Sequence, residues 1–226
     1  MIGGIQSQSV AATAKHFPGH GDTISDSHLG LPNLSVINCA EHQKIADEIA
    51  VHSVTLVRDQ AHLLPLRLKS GERAAVIVPK PVDLTPADTS SYVIPSLASA
   101  MREYHPNVDE FLIPHIPSEN DVASLLKKLR DYNLIVLGTL NAYDQPAQAD
   151  FVRAVLKMDL PTVIAALRLP YDLAAFPKAP TFVCTYSLLD PSMRALASVL
   201  FGRSAFRGKL PVSIPGLYAV GHGESL

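Results

Sequence analysis

Cysteine is nearly absent from these 226 residues: Cys39 and Cys184 are the only two, far apart and in no metal-ligand spacing. That excludes a disulfide framework and a zinc ribbon, and both thiols read as reduced. Charge of one sign is lacking as well. Nineteen basic and 21 acidic residues leave a formal net charge of -2, so nothing electrostatic argues for nucleic acid or an anionic membrane as partner. No run approaches the roughly 18 apolar residues of a membrane span, and residues 1–10 lack the basic start and apolar stretch of a secretory leader. A cytoplasmic location is the default expectation.

What is abundant is aliphatic. Hydrophobic residues make up 47% and charged residues 18% of the chain, the balance of a protein that buries a core rather than staying disordered. The length allows one large domain, or a domain with an appendage. From about residue 41 onward, short continuous apolar runs alternate with segments of helical period. The runs are SVTLVRD (53–59), AAVIVPK (74–80), DEFLIPH (109–115), NLIVLGT (133–139), PTVIAAL (161–167) and TFVCTYS (181–187). Such runs predict strands buried on both faces. Between them, Glu41–Val51, Ile94–Tyr104, Glu119–Tyr132, Gln145–Met158 and Ser192–Phe201 have the spacing of helices. Ser118 followed by Glu119 and Asp121 supplies a cap and an acidic first turn for one of them. The alternation predicts an α/β fold: a mostly parallel sheet between helix layers, a three-layer α/β/α sandwich. Residues 1–40 are too few to stand alone, and residues 41–226 form the sandwich.

The densest chemistry lies in the first segment. KHFPGHGDTISDSH, residues 15–28, holds three histidines, two aspartates and a lysine. His16 and His20 are four apart, but Pro18 and Gly19 between them break helix geometry, so they do not make a helical metal pair, and no metal is expected. Asp26 and His28 are better placed: a carboxylate on one imidazole nitrogen sets the tautomer, raises basicity and leaves the other nitrogen free to move a proton. Surface histidines with turn-forming aspartates fit the same residues, so the composition alone leaves catalysis and a solvated loop both open.

The same fourteen residues resemble the signature of glycoside hydrolase family 3, in particular its β-N-acetylglucosaminidase (β-N-acetylhexosaminidase) branch. The resemblance continues in HSVTLVRDQAHLLPL (52–66), ALRLPYDLAAFP (166–177), TYSLLDPSMRALASVLFG (185–202) and GKLPVSIPGLY (208–218), which are similar to the family's C-terminal sandwich domain. It implies a (β/α)8 barrel carrying the active site and retaining hydrolysis through a covalent intermediate. By position, His28 would be the acid/base and Asp26 its orienting partner. Lys15 and His16 would bind sugar hydroxyls, with Gly19 and Gly21 as loop hinges. The resemblance implies no cofactor, and an N-acetyl amino-sugar glycoside, such as a peptidoglycan fragment, as the carbohydrate ligand.

The chain departs from the family in one respect. A barrel of this type needs on the order of 250 residues, whereas only about 40 precede the sandwich, so residues 1–40 read as a remnant of it. The family's nucleophile is an aspartate on a late barrel strand. Neither Asp47, in a helical segment, nor Asp59, behind a strand, has that context, and no nucleophile is found. The expectation is a truncated or internally deleted relative, weakly active or inactive alone, that self-associates through the surface that would face a barrel. The alternative is a non-catalytic α/β domain binding sugar or a partner. A nucleotide-binding domain of flavodoxin type is disfavoured, because GTLNAYDQ (138–145) lacks the glycine spacing of a phosphate loop. His42 and His52 read as helix-face residues and Cys184 as a core thiol; the resemblance leaves a role for His222 open.

Overall fold

A computed structural model describes residues 39–226. Helix α1 (Ala40–Ser53) leads into β1 (Thr55–Asp59). Then follow β2 (Ala74–Pro79), α2 (Leu97–Arg102), β3 (Val108–Ile113), α3 (Glu119–Leu129), β4 (Leu134–Thr139) and α4 (Pro146–Leu156). The last elements are β5 (Thr162–Ala166), α5 (Asp172–Ala175), β6 (Thr181–Cys184) and α6 (Asp190–Leu200). The six strands form one sheet in the order β1-β6-β5-β4-β2-β3. Strands β2 to β6 are parallel, and β1 pairs antiparallel with β6, Thr55 opposite Cys184.

Every residue of β2, β4, β5 and β6 is buried. On β2, Ala74, Val76 and Val78 face one core with α2 and α6, while Ala75 and Ile77 face the other with α3, α4 and α5. A strand covered on both faces has no polar side to show, which is why its signal is a continuous apolar run. Strand β3 differs from that expectation: Val108 and Ile113 are buried, but Leu112 between them is 54% exposed. As the last strand of the sheet it lies at the margin of both helix layers.

Local chemistry sets the helix ends. At the start of α3 the Ser118 hydroxyl accepts from the Asp121 N–H at 3.2 Å and the Asp121 carboxylate accepts from the Ser118 N–H at 2.9 Å, a reciprocal capping box. The helix stops at Leu129, three residues before the expected end. At the end of α6, Gly202 adopts φ 66°. The Arg203 N–H then reaches the Ser198 carbonyl at 2.8 Å and the Gly202 N–H the Val199 carbonyl at 3.1 Å. Helix α5, a single turn, carries too short a pattern to be seen in the sequence.

Strand β1 lies at the sheet's edge yet is buried throughout, because the C-terminal tail covers it. The Glu224 N–H donates to the Leu56 carbonyl at 2.8 Å and the Gly208 N–H to the Val54 carbonyl at 3.1 Å. An unpaired edge invites aggregation, and this strap removes it.

Candidate functional site

The residues expected to bind sugar and move protons, Lys15, His16, Asp26 and His28, and the hinges Gly19 and Gly21, lie outside the described residues. The aspartates weighed as nucleophiles lie within them, and both are engaged. Asp47 on α1 pairs with Arg194 at 2.5 Å. Asp59, 6% exposed, accepts from the N–H groups of Leu63 (3.1 Å) and Leu64 (2.9 Å) and from the Thr181 hydroxyl (2.7 Å). His42 and His52 are exposed on α1. Cys184 is fully buried, and burial pushes its thiol well above the ordinary range. A ring nitrogen of His222 lies 2.7 Å from the Val57 carbonyl and the ring stacks on Tyr218, 4.1 Å between centroids, so it pins the tail to β1.

In an open parallel sheet, ligands bind beyond the carboxyl ends of the strands where the strand order reverses. Here the chain leaves β2 outward to β3 and leaves β4 in the opposite direction to β5, so the reversal falls between β2 and β4. The loops at this edge bring together polar residues from four strands. Arg168, just past β5, donates to Asp88 on the β2–α2 loop at 3.0 Å and also to the Ser90 hydroxyl. Asp88 further accepts from the N–H groups of Leu84 and Ser90, both at 2.9 Å, and from the Ser90 hydroxyl at 2.5 Å. These donors, the Ser90 hydroxyl first, hold its carboxyl far below the usual range.

Beyond β3 lies His115, whose imidazole is lowered by burial and then by the charge of Arg168, and so is neutral at pH 7. Gln148 on α4 clamps two loops: its amide donates to the carbonyls of His115 (2.9 Å) and Leu140 (3.0 Å) and accepts from the Leu140 N–H (3.1 Å). Asp172, fully buried at the start of α5, accepts from the Thr139 hydroxyl at 2.6 Å and the Tyr143 N–H at 3.0 Å. Burial raises its carboxyl despite those bonds. Asn141, at φ 61°, keeps a buried side-chain oxygen without a partner among the described residues.

Around this polar centre the same loops expose apolar side chains. Tyr92 and Ile94 follow β2, Ile116 follows β3, Tyr143 follows β4, Leu169 follows β5 and Leu189 follows β6; Tyr92 is 84% and Ile94 81% exposed. The edge therefore offers a guanidinium already matched by a carboxylate, a neutral imidazole and an apolar rim. Among the described residues no group of three or more His, Cys, Asp or Glu is placed to hold a metal ion. Sequence reading did not single out Asp88, His115, Arg168 or Asp172. The usable signal was their position at, or shortly beyond, the end of an apolar run.

Two family models match the chain: "Glycosyl hydrolase family 3 C-terminal domain" over residues 54–219 and "Glycosyl hydrolase family 3 N terminal domain" over residues 1–50. A "Beta-hexosaminidase" of Photobacterium profundum is 50% identical over 44 residues, 20% of this chain and 13% of that protein. Among solved structures, a glycoside hydrolase family 3 β-N-acetylglucosaminidase from Paenibacillus sp. str. FPU-7 superposes with a TM-score of 0.67 at 26% identity, covering 90% of this chain and 36% of that one. A β-glucosidase from Listeria innocua, with isofagomine bound, superposes at 0.63 and 20% identity, covering 79% of this chain and 28% of that one, and shares the fold. The chain thus spans little more than a third of these relatives' length, or less.

Proposed function

This chain belongs to glycosyl hydrolase family 3, and from that membership we propose that it is a relative of the family's β-N-acetylhexosaminidases whose ligand is a terminal β-N-acetyl amino-sugar glycoside, such as a peptidoglycan fragment. The half-identical stretch shared with the β-hexosaminidase carries this reading over a β-glucosidase one. Residues 1–40 hold the histidine loop and residues 41–226 the sandwich. Lys15 and His16 bind the sugar hydroxyls. His28, oriented by Asp26, protonates the departing glycosidic oxygen and then takes a proton from water, with Gly19 and Gly21 as hinges of the loop.

Retaining hydrolysis also requires a carboxylate that attacks the anomeric carbon. Among the described residues, the two aspartates weighed for that role are both engaged, Asp47 with Arg194 and Asp59 with three donors, which favours the reading that the attacking carboxylate is missing here. This polypeptide alone therefore hydrolyses 4-nitrophenyl N-acetyl-β-glucosaminide at least about a thousandfold more slowly than an ordinary family enzyme. Fusion to only the upstream barrel segments, with residues 1–40 completing the barrel and supplying its histidine loop, restores turnover on that substrate in preference to the glucoside, and His28→Ala in this fusion abolishes it. Ordinary turnover by the polypeptide alone refutes the missing nucleophile; preference of the fusion for the glucoside refutes the amino-sugar assignment. The exposed rim of Tyr92, Ile94 and their neighbours favours a second role, association of this chain with itself.

A further inference from the structure

At the amino-terminal edge of the sheet, opposite the loops described above, a cleft of about 670 Å³ opens between the end of α4 and the loop that precedes β6. Its volume suits a small organic molecule. Leu156, Leu160, Phe176, Pro177 and Pro180 line it with apolar surface, and Arg153, Lys157 and Lys178 face one carboxylate, Asp159. With Asp150, the partner of Arg153, counted beside Asp159, three cations stand against two anions, a small local excess in a molecule whose net charge is -2.

Arg153 is engaged with Asp150 at 2.6 Å and with the Ala175 carbonyl at 2.5 Å. Lys157 and Lys178 have no carboxylate partner among the described residues. Behind the wall formed by residues 177–180 lies Arg58, 6% exposed. Its guanidinium donates to the Pro177 carbonyl at 2.8 Å and sits 5.2 Å from the Tyr218 ring centroid. No carboxylate among the described residues neutralises it, and its Nε has no partner among them. A buried cation bonded only to neutral groups projects its field through poorly screening protein. Compensation of the helix dipole accounts for Arg153 and Lys157 at the end of α4, but not for Lys178 in a loop or for Arg58 on β1.

We propose that this cleft is a binding site for an amphiphilic organic anion, an apolar body of about eight carbons bearing a carboxylate or phosphate head, with the body on Leu156, Leu160 and Pro177 and the head between Lys157 and Lys178. A bare inorganic anion leaves the apolar lining wet; a neutral hydrocarbon leaves both lysines unused. The site is independent of the glycosidase reading.

Isothermal titration of the full chain with octanoate, octyl phosphate, octan-1-ol and octyltrimethylammonium tests it. Both anions bind, the better one identifying the head group, and the alcohol and the cation bind at least about tenfold more weakly, the loss expected for two partly exposed charge contacts. The double variant K157Q/K178Q, whose changes lie on exposed side chains, keeps the thermal midpoint, weakens the anions by about the same factor and leaves the alcohol unchanged. No heat with either anion, equal affinity for the alcohol, or a double variant that binds the anions like the parent overturns the proposal.

Discussion

The carboxylate of Asp88 collects four donors, from Leu84, from the N–H and hydroxyl of Ser90, and from Arg168 eighty residues further along the chain. These donors favour the charged form, so the folded-state pKa lies below the unfolded value of 3.8. A group depressed in this way stabilises the fold above its unfolded pKa, and that contribution is lost as pH falls through the folded value. The prediction is a thermal midpoint that declines as the pH is lowered below about 4. In Asp88→Asn the decline is shallower, because the variant has no charge there to lose. Equal slopes for the two proteins would show that Asp88 is not among the groups responsible. The fully buried Asp172 runs the other way: its raised carboxyl favours the protonated form in the fold, so its contribution weakens as pH rises above 3.8.

Strand β1 illustrates how an element is protected by what packs beside it. Gly208, where the tail first crosses β1, has no room for a side chain: an added Cβ would sit 2.1 Å from the Ser53 carbonyl oxygen and 2.4 Å from the Thr55 hydroxyl. One of those obstacles is backbone and cannot swing aside, so relief requires moving the tail. Gly208→Ala is expected to cost about 3 kcal/mol, at the upper end for overpacking, and to lower the melting temperature by roughly 6 to 12 °C. Calorimetry measures the shift, and hydrogen exchange at the Gly208 and Glu224 amides, which donate to the Val54 and Leu56 carbonyls, reports whether the strap loosens first. A variant that melts with the parent would mean that the tail does not hold the edge as tightly as its hydrogen bonds indicate.

On the scale of the whole molecule, one edge of the sheet gathers much of the large apolar exposure among the described residues. The loops following all five parallel strands expose a large apolar side chain at one edge of the sheet, around the Arg168–Asp88 pair. Large exposed apolar side chains gathered at one edge are the mark of an interaction surface. Multi-angle light scattering is expected to show association that rises with protein concentration, and Tyr92→Ser with Ile94→Ser to weaken it. A parent that stays monomeric, or a double variant that associates equally well, removes this edge as the contact.

The sandwich could be read from the sequence because burial on both faces leaves short unbroken apolar runs, and because caps such as Ser118 and Asp121 act within a few residues. Family membership was readable for a related reason: the histidine loop is a contiguous string, whose identity needs no coordinates, although its geometry lies outside the described residues. Tertiary structure alone decided that β1 runs antiparallel, that β3 is a half-covered margin, that Arg168 meets Asp88 and that Arg58 lies buried without a carboxylate partner among the described residues. Each of these depends on which distant segments become neighbours, and local pattern carries no record of that. A cation's partner is set by strand order, whereas a strand's own burial is already written in its side chains.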